Sequence, residues 1–111
     1  MHFTNPTSIM IEFQYFSGCP HAKDTLPNLR EVMTEMDIAE NDLHIIDVPS
    51  PEAAQKIKFQ GSPTILVNGI DIYTGVKPEG FSYSCRVYEF DGRQIGVLPK
   101  EFIRNKLDGY K

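Results

Sequence analysis

The order of the apolar segments predicts an α/β fold, with a central mixed sheet of about four to five strands flanked by helices. Three short apolar segments rich in strand-forming residues are separated by segments with helical periodicity. That order places the strands in one layer and the helices in another. Two Xaa-Gly pairs after the third strand predict tight hairpins. The sequence therefore predicts β-α-β-α-β-β, then an added hairpin and a C-terminal helix.

The first half of the chain predicts two strands and two helices. The segment IMIEFQYF (9–16) is nearly continuously apolar, as expected for a strand buried on both faces. After Cys19, apolar side chains recur at three- and four-residue spacing and predict a helix that faces the sheet with Ala22, Leu26, Leu29, Met33 and Met36. Pro27 lies inside this helix and should kink it. LHIIDV (43–48) predicts the second strand, and Ser50 predicts the N-cap of the next helix.

The second half predicts further strands and a final helix. GSPTILV (61–67) predicts a third strand, because proline is tolerated at the start of a strand. The pair Asn68-Gly69 predicts a tight turn into a returning strand at IDIY (70–73). An added hairpin with an Asp-Gly turn and a last amphipathic helix complete the pattern, at CRVYEF (85–90), RQIGV (93–97) and the segment that begins at Pro99.

Length and composition predict one domain over residues 1–111, with 1–8 as a loose lead-in and 75–98 as an insertion that carries the hairpin. The net charge of −4 and the lack of a basic stripe argue against nucleic acid and anionic membranes as partners. The first residues show no secretory pattern, and no apolar run approaches the roughly 20 residues of a membrane span. We therefore expect a cytoplasmic protein.

Two cysteines in a cytoplasmic chain are expected to be reactive, metal-binding or buried rather than a structural disulfide. Cys19 is predicted at the start of a helix, where unsatisfied N–H groups and the helix dipole favour the thiolate. His21 would add positive charge there when it is protonated. The alternatives are a plain buried cysteine and a solvated histidine without a role.

Three features resemble the thioredoxin family across roughly residues 9–107. Cys19 follows the first strand and begins a helix, Pro27 stands eight residues later, and a G-x-P-T sequence at 61–64 matches the cis-proline loop of that family. A closer resemblance is to small bacterial and archaeal thioredoxin-like proteins, sometimes labelled alkylmercury-lyase-like. Those proteins carry the three motifs GCP, GSPT and SCRVY, which occur in this chain at 18–20, 61–64 and 84–88.

This resemblance implies thiol–disulfide exchange through Cys19, with protein or small-molecule thiols and disulfides as partners and no cofactor. A cis peptide bond before Pro63 would present the backbone of Ser62 to the sulfur. The chain departs from thioredoxin because Ala22 stands where the second active-site cysteine belongs, and because the chain contains no Trp. A thioredoxin-style general disulfide reductase is therefore not implied.

A disulfide on Cys19 then needs another thiol to resolve it, either a small thiol such as glutathione or Cys85. If IDIY is the antiparallel return strand, Cys85 is a plausible neighbour of Cys19. If CRVYEF is the return strand, Cys85 begins at the far end of the sheet and cannot meet Cys19. We favour the first topology, with a small buried Cys85 as the alternative to a resolving one. Arg86 would lower the pKa of Cys85, bind an anionic substrate, or be solvated.

The predicted site therefore has Cys19 and Cys85 as catalytic residues and a substrate-binding set of Ser62, Pro63, His21 and Arg86. Two other functions remain open. One is thiolate binding of soft Hg(II) or Cu(I), although the sequence contains no local metal motif and predicts no resident metal. The other is a redox-inactive thioredoxin-fold module that binds a peptide.

Overall fold

The first half of the chain forms its strands and helices where the sequence predicts them. The computed structural model describes residues 9–110, so the predicted lead-in over 1–8 lies outside the described residues. A single 3-10 turn precedes the second strand. The elements are β1 (Ile11–Tyr15), α1 (Pro20–Glu35), the 3-10 turn (Glu40–Asp42), β2 (Leu43–Asp47) and α2 (Pro51–Ile57).

The second half contains more strands than the sequence predicts, each of them short. The sequence predicts six strands, counting both strands of the hairpin, and the described residues form eight, because the structure divides two of the predicted segments. The elements are β3 (Gln60–Ser62), β4 (Thr64–Val67), β5 (Ile70–Asp71), β6 (Ser82–Cys85), β7 (Tyr88–Phe90), β8 (Arg93–Ile95) and α3 (Lys100–Asp108).

The central sheet has four strands in the order β2-β1-β4-β5. β1 pairs parallel with β2 and antiparallel with β4, and β4 pairs antiparallel with β5. The α/β class and the mixed four-stranded sheet are therefore confirmed. The turn at Asn68 and Gly69, with φ of 52° and 85°, makes β5 the return strand. The structure thus has the first of the two topologies that the sequence left open.

The main core lies between the central sheet and the helices α1 and α3. Of the predicted α1 stripe, Ala22, Leu29 and Met33 are buried, whereas Leu26 and Met36 are partly buried. α1 runs continuously through Pro27, which lies on its exposed side. From α3 and β1 this core takes Ile103, Leu107, Ile11 and Phe13. No helix in the described part of the chain is long and apolar enough to cross a membrane.

A second, smaller core lies beneath α2. Val48, Ala54 and Phe59 are buried there, and Tyr83 of β6 packs against them. The Ser50 hydroxyl accepts a hydrogen bond from the Ala53 N–H at 3.1 Å, which confirms the predicted N-cap.

The prediction of a single strand over 61–67 is wrong, because the structure divides this segment into β3 and β4. The Ser62–Pro63 peptide bond is cis, and the chain changes direction there. β4 joins the central sheet, whereas β3 pairs in parallel with β6 in a separate two-stranded sheet. The return strand is also shorter than predicted, because the Asp71 carboxylate accepts the Tyr73 N–H at 2.9 Å and the chain turns at once.

The predicted strand CRVYEF (85–90) is wrong in its extent. Cys85 ends β6, and the Arg86 N–H donates to the Ser62 carbonyl at 2.8 Å, so this part of the chain follows β3. Only Tyr88–Phe90 belongs to the hairpin, where β7 pairs antiparallel with β8 around Asp91 and Gly92. β8 ends at Ile95, two residues earlier than predicted.

Candidate functional site

Cys19 sits at the junction between the central sheet and α1. It is the N-cap residue of α1, and its N–H donates to the Phe16 carbonyl at 3.2 Å in the turn that follows β1. Its side chain is buried, and its Sγ donates to the Ser62 carbonyl at 3.3 Å. The Ser62 hydroxyl accepts the Phe16 N–H at 3.2 Å and so fastens the cis-proline loop to the same turn. Cys19, Ser62 and Pro63 are therefore neighbours.

The pairing of β3 with β6 brings Cys85 to the same place. Ser62 and Cys85 are register partners in this parallel pair. The Cys85 Sγ lies 2.7 Å from the Cys19 Sγ and donates a hydrogen bond to it, although 66 positions separate the two residues in the chain. Cys19 is buried, whereas Cys85 is exposed. The structure thus places a solvent-accessible thiol directly against a buried one.

The contact between the two sulfurs changes the acidity of the outer one. The hydrogen bond to Cys19 raises the pKa of Cys85 to about 11, with smaller contributions from burial and from the charge on Cys19. At neutral pH Cys85 is therefore the protonated donor, and Cys19 is the acceptor.

Arg86 is held inside the molecule. Its guanidinium pairs with the Asp71 carboxylate at 2.9 Å, and the two side chains are 10% and 2% exposed. It also donates to the Thr64 hydroxyl at 3.2 Å and lies over the rings of Tyr73 and Tyr88. The alternative of a solvated arginine is therefore wrong. Arg86 fixes the residue next to Cys85, and its binding of an anionic substrate stays a prediction.

Tyr88 joins the hairpin to the cis-proline loop. Its ring is fully buried, and its hydroxyl donates to the Pro63 carbonyl. Burial raises the pKa of Tyr88, so the hydroxyl keeps the proton that this hydrogen bond needs. Together with Arg86, this contact anchors the segment that carries Cys85.

His21 lies beside the two cysteines. A Cβ at Gly96 would fall 2.1 Å from the imidazole, so the ring occupies the space above that glycine. The buried Nδ1 atom has no hydrogen-bond partner among the described residues. One ligand atom from each of Cys19, His21 and Cys85 lies within 4.8 Å of the other two. The sequence contains no local metal motif, because these residues come together only through the β3–β6 pairing.

A groove of about 820 Å³ opens next to Cys19, between α1 and the edge strand β2. Its apolar lining includes Tyr15, Leu26 and Ile45, and Lys23 is the one charged residue among the described residues that line it. Cys85 does not line the groove. The Cys19 thiol therefore lies between the exposed Cys85 and a largely apolar cavity.

Sequence reasoning missed Asp71, Tyr88 and Gly96 as parts of this site. Only Asp71 carried a signal, because a charged residue within an apolar strand is expected to be paired. In comparisons with known proteins, no family model and no curated protein matched the chain.

Proposed function

We propose that this chain is a thioredoxin-like protein that performs thiol–disulfide exchange through Cys19, with Cys85 as the resolving thiol. A cysteine at the start of the first helix, next to a cis-proline, supports this reading. So does a sheet in which a parallel pair is followed by two antiparallel strands. The resemblance of the GCP, GSPT and SCRVY segments to small thioredoxin-like proteins points the same way. A cytoplasmic location fits, because thiols are kept reduced there.

One observation carries the proposal, the 2.7 Å contact between the two sulfurs. In the first step the Cys19 thiolate attacks a disulfide R–S–S–R′, forms Cys19–S–S–R and releases R′–S⁻. In the second step the Cys85 thiolate attacks the Cys19 sulfur, forms the Cys19–Cys85 disulfide and releases R–S⁻. The substrate gains two electrons and the protein loses two. A small thiol such as glutathione would be the alternative resolver.

The elevated pKa of Cys85 fits the order of these steps. Its largest cause is the hydrogen bond to Cys19, with the Cys19 charge adding to it. Both vanish once the Cys19 sulfur is bonded to a substrate. Cys85 then loses its proton more readily, at the stage that requires a thiolate. The first step would thus activate the second.

The test is a single turnover of reduced protein with excess 2-hydroxyethyl disulfide, stopped with an alkylating reagent and followed by peptide mapping. We expect a Cys19–Cys85 disulfide in the wild type. In the Cys85→Ser variant we expect a mixed disulfide that remains on Cys19. In the Cys19→Ser variant we expect Cys85 to react at a rate no greater than that of a free thiol.

The proposal fails if both cysteines of the wild type stay free, or if the mixed disulfide forms on Cys85 instead of Cys19. A mixed disulfide that persists on Cys19 in the wild type would leave exchange intact and remove Cys85 as the resolver. Insulin reduction is not a useful readout, because a protein that needs a small thiol would also score poorly there.

A second candidate function is the binding of a soft metal ion such as Hg(II) or Cu(I). The observation that favours it is the set of two sulfurs and one imidazole nitrogen within 4.8 Å of one another. Thiolates are the ligands that such ions prefer, and an imidazole with an unpartnered buried Nδ1 fits a third position. Cys19, Cys85 and His21 would hold the ion.

Gly96→Ala tests this candidate, because the new methyl group would displace the His21 ring without changing either cysteine. If His21 is a ligand, we expect a Cu(I) affinity about tenfold lower in a chelator competition, since loss of ligand orientation typically costs 10–100-fold. Gly109→Ala is the control, because a Cβ there meets only an ordinary contact with the Lys106 carbonyl. Equal affinities in both variants would remove His21 from the metal set.

A further inference from the structure

A substrate has two conceivable approaches to Cys19, and one of them is already filled. One approach is along the edge of β3, where an extended peptide could add as a further strand. In this chain β6 already pairs with that edge. The Ser82 N–H donates to the Phe59 carbonyl at 2.7 Å, and the Arg86 N–H donates to the Ser62 carbonyl at 2.8 Å. Because these carbonyls are occupied, a peptide gains no backbone pairing there. This leaves the groove between α1 and β2.

The shape of this groove suits a small apolar molecule. Phe13 and Ile45 are register partners in β1 and β2, so their side chains share a face of the sheet. Ile45 is 41% exposed on that face, and β2 is an edge strand of the central sheet. Leu26 of α1 lines the groove opposite this strand. The volume of about 820 Å³ lies within the range of pockets that enclose drug-sized ligands.

The charge in the groove is positive. Lys23 is the one charged residue among the described residues that line it, and it is exposed. Lys23 follows Cys19, the N-cap residue of α1, by four positions, and both residues line the groove. A substrate in this groove can therefore meet the Lys23 ammonium group while its sulfur lies at Cys19.

From these observations we infer that the substrate is a low-molecular-weight disulfide with an apolar, preferably aromatic, body and an anionic group. This inference rests on the proposed function and names its substrate class. The apolar half R lies in the groove, its carboxylate meets Lys23, and its sulfur bonds to Cys19 as R′–S⁻ leaves. Cys85 then attacks the Cys19 sulfur and releases R–S⁻, so the electron balance is that of the proposed exchange.

The test compares three probe disulfides in single turnovers of the reduced protein. They are the anionic aromatic 5,5′-dithiobis(2-nitrobenzoate), the neutral aromatic 4,4′-dithiodipyridine and the neutral aliphatic 2-hydroxyethyl disulfide. Each rate is divided by the rate of glutathione with the same probe, which removes the intrinsic reactivity of the probe. We expect Lys23→Gln to lower the ratio of the anionic to the neutral aromatic rate about tenfold. Lys56→Gln, on the exposed side of α2, is the matched control.

Ile45→Thr tests the apolar wall while it keeps a β-branched residue in the edge strand. We expect it to lower the ratio of the aromatic to the aliphatic rate several-fold. If neither ratio changes while the Cys19–Cys85 disulfide still forms, the substrate class is wrong and the proposed exchange survives. If Cys19 reacts with none of the three probes, both are overturned.

Discussion

The two cysteines occupy regions of the molecule that are stabilised in different ways. Cys19 begins a helix whose buried face belongs to the main apolar core, and it is itself buried. Cys85 ends a strand of four residues in a two-stranded sheet and is exposed. The apolar core thus fixes the proposed nucleophile, whereas a few polar contacts fix its partner. The distance between the sulfurs should therefore depend on those contacts more than on the core.

The polar contacts are made by residues that follow Cys85 in the sequence. Arg86 pairs with Asp71 at 2.9 Å and lies over two tyrosine rings, and the Tyr88 hydroxyl donates to the Pro63 carbonyl. Both contacts tie the segment to the central sheet and to the cis-proline loop. Variants in these contacts should separate the two sulfurs while Cys19 keeps its place.

The largest effect is expected from Arg86→Met. Removing the cation leaves the buried Asp71 carboxylate unpaired, which typically costs about 3–5 kcal/mol of the free energy of unfolding. Urea denaturation measures this loss, and the yield of the Cys19–Cys85 disulfide should fall with it. Arg93→Met, on the exposed β8 strand, is the control and should change the stability by less than about 0.5 kcal/mol. Equal losses in the two variants would contradict the anchoring role of Arg86.

Tyr88→Phe should have a smaller effect. It removes the hydroxyl that donates to the Pro63 carbonyl and leaves that buried acceptor unsatisfied, at a cost of about 1–3 kcal/mol. Urea denaturation again gives the stability, and the rate of disulfide formation reports on the position of Cys85. Tyr110→Phe, two residues after the end of α3, is the matched control. A Tyr88→Phe protein with wild-type stability would remove this contact from the anchor.

The smallest effect is expected from Glu35→Gln, on the Cys19 side. Glu35 pairs with Arg104 across α1 and α3 at 2.6 Å, but both side chains are more than 40% exposed. Surface pairs of this kind contribute about 0–1 kcal/mol. Thermal unfolding should therefore change little, and disulfide formation should not change at all. A large loss of thermal stability or of disulfide yield would show that the position of Cys19 also depends on polar contacts.

The central sheet could be predicted from the sequence because its signals are local. The apolar run at 9–16, the helical spacing after Cys19 and the N-cap at Ser50 each act within one element. The Asn68 and Asp91 turns also need only their own residues, since Asn-Gly and Asp-Gly adopt the positive φ angles of a tight hairpin.

The β3–β6 pair could not be predicted because its signals are neither long nor local. The two strands have three and four residues, too few for a period of two to stand out. Their parallel pairing brings Ser62 next to Cys85, and the following residue, Arg86, forms an ion pair with the distant Asp71. The sequence therefore identified both cysteines as candidates but allowed two topologies, only one of which brings them into contact.

The pH dependence of Cys85 alkylation tests the contact between the sulfurs most directly. Alkylation requires the thiolate, and Cys19 raises the pKa of Cys85 to about 11. In the wild type, modification of Cys85 should therefore be slow at neutral pH and reach its midpoint near pH 11. In Cys19→Ala the midpoint should fall towards the ordinary value for cysteine, because the main cause is gone. Identical midpoints in the two proteins would contradict a site in which Cys85 rests against Cys19.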